Sequence, residues 1–319
     1  MKLSLIFPLL LTAQLSTVSF GGSYVVSEQS PCFIAAESSP LSIAIESGNL
    51  PAVTDLIKAG AIFRQPDSKT PLHLATYWGH EDIVRYFINS GADPDSQDDN
   101  GVTPLHLAAW KGNKAVAKLL LNAGASVDLT DIYNRSPLFK AAWQNQTPVV
   151  ELLISKGADV NLQDTFGSAP LHAAAGNGFL KLMQCLLSNE VIIVDQEDQQ
   201  GRTAFWQAVQ GNRLEAARLL YSHKANTSHP DRVGRWTPLH VAVGRGYLDM
   251  VRTLLQWGAE SNPKDKYGWT PCRIAKDVRS PELIEMLCVN NSAGVDLMNK
   301  EQEIDPERSG HDRYPESEI

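Results

Sequence analysis

Cysteine is scarce in this 319-residue chain. Its four thiols, Cys32, Cys185, Cys272 and Cys288, show no paired spacing, which predicts neither a disulfide framework nor a zinc site. Apolar runs are short as well, and none approaches the ~20 residues that a membrane-spanning helix needs. A cation excess is missing: 28 Lys and Arg face 36 Asp and Glu, for a net charge of −8. Without a basic footprint, nucleic acid is not an expected partner. Also absent are a phosphate-binding glycine loop, a nucleophile elbow, a pair of catalytic carboxylates, and His, Cys, Asp or Glu at metal-ligand spacing. The expectation is therefore no catalytic residue, no metal ligand, no cofactor and no enzyme. Binding is the class that remains.

What the chain does have is a period. Thr70-Pro71-Leu72-His73 returns as Thr103-Pro104-Leu105-His106 and as Thr237-Pro238-Leu239-His240. Weaker copies start at Ser39, Ser136, Ala169, Thr203 and Thr270, giving steps of 31, 33, 33, 33, 34, 34 and 33 residues. A fixed step of this size marks an array of supersecondary units, which offers an extended surface in place of a single pocket.

One copy shows what each unit is. Thr103 stands where an N-cap hydroxyl belongs, and Pro104 follows at the first helical position, where a missing N–H costs nothing. Leu105, Leu107, Ala108 and Ala109 form a short apolar helix that Gly112 ends. Val116 and Leu119 to Leu121 recur at helical spacing up to Gly124. A turn with Asp and Gly at its tip leads to the next copy. Gly48, Gly79, Gly112, Gly178 and Gly246 mark the first stop, with Asn145 and Asn212 as left-handed substitutes. Gly60, Gly91, Gly124, Gly157 and Gly258 mark the second. Glu190 and Lys224 break the second series and Arg279 the first. The copies that carry Glu190 and Lys224 are the expected weak point of the stack.

This period and its Thr-Pro-Leu-His segments resemble the ankyrin repeat. The resemblance covers about residues 37–295 in eight copies. It implies an all-α solenoid of stacked helix-turn-helix units with projecting hairpin-like loops. It further implies protein partners that meet the loop tips and the first-helix face.

The ends read differently. Lys2 and the apolar run Leu3 to Leu11 have the layout of a secretory signal peptide, with Ser19-Phe20-Gly21 as its cleavage site. Residues 1–21 are thus a signal peptide or a disordered leader, and 22–36 a linker. Residues 293–319 hold eight acids against three bases, so 296–319 is expected to be an acidic, disordered tail. Localisation pulls two ways. The leader favours the secretory route, whereas the habit of the family favours cytoplasm or nucleus, as do Cys185, Cys272 and Cys288 read as small hydrophobes in core slots. Along the secretory route, Asn226-Thr227-Ser228 and Asn290-Asn291-Ser292 are usable glycosylation sequons. Asn134-Arg135-Ser136 and Asn145-Gln146-Thr147 are each followed by proline.

Candidate functional residues lie where the repeat leaves the residue free. His73, His106, His172 and His240 share one repeat position, so they are expected to hydrogen-bond between units and not to catalyse. The end of the first helix, six residues after each turn proline, carries Tyr77, Trp110 and Trp143 at 33-residue spacing, with Trp78 and Lys111 adjacent. Stacking predicts a three-ring ladder there, while Gly176 and Gly244 leave the same position smooth in the later copies. The loops add Tyr133, Phe166, Trp236, Tyr267 and Trp269. Aromatics with polar edges are enriched at binding hot spots. The leading reading is a scaffold or adaptor holding a protein or peptide on the concave face of the array. The alternatives are a secreted or host-directed effector and a ubiquitin-ligase substrate receptor. Asn161, after Leu153 and within Asp159-Val160-Asn161, resembles asparagines hydroxylated in ankyrin-like proteins, with a loop-capping role as the plainer alternative.

Overall fold

The structure, a computed structural model, describes residues 39–63 and 67–289. The leader, the linker, Cys32, Asn290 and the acidic tail lie outside the described residues. Each copy contributes two helices. The first helices are α1 (Pro40–Glu46), α3 (Pro71–Trp78), α5 (Pro104–Lys111), α7 (Pro137–Trp143), α9 (Pro170–Asn177), α11 (Ala204–Gln210), α13 (Pro238–Gly244) and α15 (Pro271–Asp277). The second are α2 (Leu50–Lys58), α4 (Glu81–Asn89), α6 (Lys114–Asn122), α8 (Thr147–Ser155), α10 (Leu180–Leu187), α12 (Leu214–Ser222), α14 (Leu248–Gln256) and α16 (Pro281–Ile284). The last continues as a π-helical turn, Glu285–Val289. Among the described residues there is no strand.

The caps follow from the sequence. All first helices but α11 start on proline, and the Thr103 hydroxyl accepts the His106 N–H as expected of an N-cap. Each first helix packs on the first helix of the next unit, as α3 does on α5 and α5 on α7, and the second helices from α2 to α12 stack likewise. Small residues allow the close approach: Ala75, Ala108, Ala141, Ala174, Ala208, Ala242 and Ala275 are all fully buried. Ile83, Val116, Val149, Leu182 and Val251 fill the space between the two rows, so the core runs along the array without a break.

The stops hold, with one instructive split. Asn145, Asn212 and Arg279 occupy the left-handed region at φ 56°, 51° and 55°, as the glycines they replace would. Lys224 does the same at φ 65°. Glu190 does not. Helix α10 ends at Leu187, with Ser188 as a right-handed C-cap, and the chain thereby avoids a left-handed residue at position 190.

One expectation is overturned. Cys272 and Cys288 are not separate core thiols but a disulfide, with Cα atoms 5.3 Å apart. The physical reason lies in the repeat. Cys272 takes the slot of Leu105 on a first helix and Cys288 that of Leu121 on a second, and in the last unit, where Cys288 lies in the π-helical turn, the two come within disulfide reach. Cys185 is the free thiol among the described residues, and burial, with Glu151 beside it, pushes its pKa up.

Candidate protein-binding surface

The loops that present the surface are built around one aspartate each. The carboxylates of Asp98, Asp131, Asp164, Asp198, Asp231 and Asp265 accept backbone N–H groups from the far side of their own turn. Those of Asp131 come from Tyr133 and Arg135, at 2.9 and 3.0 Å. Neighbouring tips are then joined by single backbone bonds, Ile132 N–H to Asn100 and Thr165 N–H to Tyr133 among them, at 3.0 and 2.9 Å. Space at the tip is tight: a Cβ on Gly167 would lie 2.6 Å from the Gln199 nitrogen, and its φ is +76°.

The repeated histidines tie units together. In His73, His106, His172 and His240 the Nδ1 atom accepts the backbone N–H of residue i−3 at 3.1 Å. That fixes the Nε2–H tautomer, and Nε2 donates to a carbonyl of the next unit: Val102, Arg135, Arg202 and Trp269, at 2.9 to 3.2 Å. Burial lowers the pKa of all four, that of His106 to about 4, so the rings are neutral at pH 7. Where the histidine is replaced, Trp206 donates its indole N–H to the Trp236 carbonyl at 3.4 Å. Ser42 and Arg273 hold this repeat position in the first and last copies, and Phe139, at the same position, has no ring donor. Its neighbour Lys140 reaches the Asp131 carboxylate at 3.3 Å, beside Arg135 at 2.9 Å. Burial alone would raise the pKa of Asp131, but the Arg135 N–H and the two cations hold it below its usual range.

The ladder of rings is broken. Tyr77 and Trp110 stack across the unit boundary, with centroids 6.4 Å apart and planes at 15°. Lys111 covers both, 4.0 Å from the Tyr77 centroid and 4.9 Å from that of Trp110. Trp143 stacks instead on Phe139 of its own unit, at 6.2 Å. Phe139 replaces a histidine with an apolar ring one turn before Trp143 on the same helix, and the third rung stacks there instead of across the unit boundary. Trp143 stays 41% exposed and Trp78 47%. Lys111 is exposed, while Tyr77 and Trp110 are half-buried.

The loop aromatics divide. Tyr267 is the most open, 71% exposed beside Lys266, and Tyr133 is 40% exposed beneath the Arg135 guanidinium. Phe166 is half-buried. Trp236 and Trp269 are also half-buried and pack against the core, with Arg273 over the Trp269 ring at 4.3 Å. The later units are not smooth at the glycine positions. A Cβ on Gly244 would lie 3.6 Å from the Trp236 ring, and one on Gly176 would lie 3.7 Å from Gln207. These glycines make room for neighbours that cover them.

A family model described as "Ankyrin repeats (3 copies)" matches residues 25–98, 41–131, 86–164, 138–231 and 228–301, most of the chain. This chain belongs to the ankyrin-repeat family. Among curated relatives, protein phosphatase 1 regulatory subunit 27 of Homo sapiens is 47% identical over 86 residues, which is 27% of this chain and 54% of that protein. The B-cell lymphoma 3 protein homolog of Mus musculus is 39% identical over 87 residues, 27% of this chain and 18% of that one. The serine/threonine-protein kinase VIK of Arabidopsis thaliana is 37% identical over 82 residues, 26% and 18% of the two chains, and the likeness lies in the repeats. Of solved structures, the ankyrin repeat domain of Bcl-3 superposes with a TM-score of 0.62 at 31% identity, covering 69% of this chain and 99% of that one. The human ASB11 ankyrin repeat domain gives 0.59 at 26%, covering 68% and 97%. The ankyrin-repeat array is a protein-interaction module, and protein–protein interaction is the class these likenesses support. Among the described residues no helix is long and apolar enough to cross a membrane.

Proposed function

We propose that this ankyrin-repeat protein is a non-enzymatic scaffold that holds a protein or peptide along its concave face, with the partner seated on the first-helix ends and loop tips. The observation that carries this reading is the Tyr77–Lys111–Trp110 assembly, two stacked rings under one exposed cation across a unit boundary. Trp78, Trp143, Tyr133 and Tyr267 extend it as exposed rings, and Phe166, Trp236 and Trp269 form its half-buried margin. Lys111, Lys266 and Arg273 stand exposed beside these rings. Rings flanked by cations suit a segment whose aromatic or aliphatic anchor lies next to acidic residues. Arg135, Arg202 and Arg232 face carboxylates of their own chain, so the surface does not form the continuous basic stripe that nucleic acid requires.

Selection of a random peptide library on the full chain tests the reading. Enriched sequences should pair an acidic residue with an apolar anchor. Trp110→Ala and Trp143→Ala should each weaken their binding by about 2 kcal/mol or more with little change in melting. Unchanged affinity with clearly lowered melting points would make the rings cover for the core and overturn the proposal.

A further inference from the structure

We infer that this chain matures in an oxidising secretory compartment and is N-glycosylated there at Asn226. Three independent observations converge. The first is the apolar run Leu3 to Leu11 behind Lys2, which has the layout of a secretory signal. The second is the Cys272–Cys288 bridge closing the final repeat, because structural disulfides persist in oxidising compartments and are rare where glutathione keeps thiols reduced. The third is the geometry at Asn226.

Asn226 heads the sequon Asn226-Thr227-Ser228, with His229 following where a proline would forbid transfer. It is exposed at the start of the loop after α12. Its Oδ1 accepts the Ser228 N–H at 2.9 Å, and its own N–H is held by the Asp195 carboxylate at 3.0 Å. The backbone is thus fixed, while Nδ2, the atom that would bear the sugar, has no hydrogen-bond partner among the described residues. Asn134 differs on both counts: Pro137 follows its sequon, and its Nδ2 donates to the Gln163 carbonyl at 2.6 Å inside the loop ladder. A glycan on Asn226 leaves every loop bond in place, whereas one on Asn134 breaks a junction.

The chemistry balances with co-reactants of that compartment. Asn226 Nδ2 forms a bond to the anomeric carbon of a lipid-linked oligosaccharide as that carbon's bond to the pyrophosphate oxygen breaks. The lipid pyrophosphate departs and Nδ2 loses one proton. The two thiols pass two electrons and two protons to a disulfide-bearing oxidoreductase, which becomes a dithiol.

The test expresses the full chain in cultured eukaryotic cells and follows it by endoglycosidase digestion and a non-reducing peptide map. The expected result is a chain beginning near Phe20 or Gly22, shifted on gels in an endoglycosidase-sensitive way, with Cys272 and Cys288 in one linked peptide. Asn226→Gln and Ser228→Ala should each remove the glycan from the Asn226 peptide, and Ser228→Thr should retain it. Ser228 Oγ also accepts the Glu260 N–H at 3.0 Å, so a thermal melt of each variant accompanies the map, and glycan loss without a lowered melting point marks loss of the acceptor and not of the fold. A chain that keeps residues 1–21, an Asn226 peptide without sugar in the wild type, or Cys272 and Cys288 recovered as free thiols would overturn the inference. Sugar found on Asn290 alone would also refute the assignment to Asn226.

Discussion

At the scale of single residues, the four repeated histidines make stability depend on pH in a defined direction. Each is neutral and buried in the fold, with its pKa lowered by desolvation, while in the unfolded chain it titrates near the ordinary imidazole value of about 6.5. Below that value the unfolded state binds more protons than the native state, so stability falls as pH drops. The loss runs from about 6.5 down towards about 4, the folded value for His106. Thermal melts between pH 7 and 4 should show it, and His106→Gln should melt lower at pH 7 yet lose less on acidification. A wild-type melting point that is flat across this window would contradict the neutral, buried assignment. Trp206 makes a second case. Its indole does the work of an imidazole, so Trp206→Phe should cost about 1 kcal/mol by denaturant titration, the usual worth of one hydrogen bond. Asn161 clamps its loop to the next. Its Nδ2 donates to the Val191 carbonyl and its Oδ1 accepts the Ile193 N–H, at 2.8 and 2.9 Å.

Helix ends and the terminal unit belong to the next scale. Lys224 holds a left-handed conformation that favours glycine, so Lys224→Gly should stabilise the protein by roughly 1 kcal/mol. Glu190→Gly should bring no such gain, because α10 already stops short and position 190 lies outside that region. Equal gains at the two sites would mean that the shorter helix is not what relieves Glu190. At the last unit, Cys272 and Cys288 close a loop of 16 residues. Chain entropy puts the value of such a bridge near 3 kcal/mol. Reduction should therefore open α15 and α16 first in hydrogen exchange and leave α3 to α6 protected. Uniform loosening of all units on reduction would contradict a local role.

For the molecule as a whole, the sequence made the architecture legible because identical demands recur. A cap, a proline, a ring donor and two stops every 33 residues identify themselves by repetition, and the histidine slot could be read as scaffold for the same reason. What was not legible depends on pairs instead of positions. The disulfide joins two slots that each look like an ordinary leucine site, and its signal, the 5.3 Å between their Cα atoms, appears only once the last unit is folded. Trp143 leaves the ladder because of Phe139, and Gly244 is bare in sequence yet covered by Trp236 in space. The loop aspartates carried a signal that passed as generic turn chemistry. These couplings also set the order of opening. Hydrogen exchange should open the units carrying Glu190 and Lys224 before α3 to α6, since one has a shortened helix and the other a strained stop. Equal protection along the array would refute this.

The bonds donated by the histidine row lead to a point about variation. The acceptors are supplied by Val102, Arg135, Arg202 and Trp269, one aliphatic, two cationic and one aromatic side chain. Each offers only a main-chain carbonyl, which any residue would provide. Cohesion is therefore written in one set of positions and identity in another. The loop residues can drift in charge, size and aromaticity, and so change what is recognised, without loosening the joint they help to make.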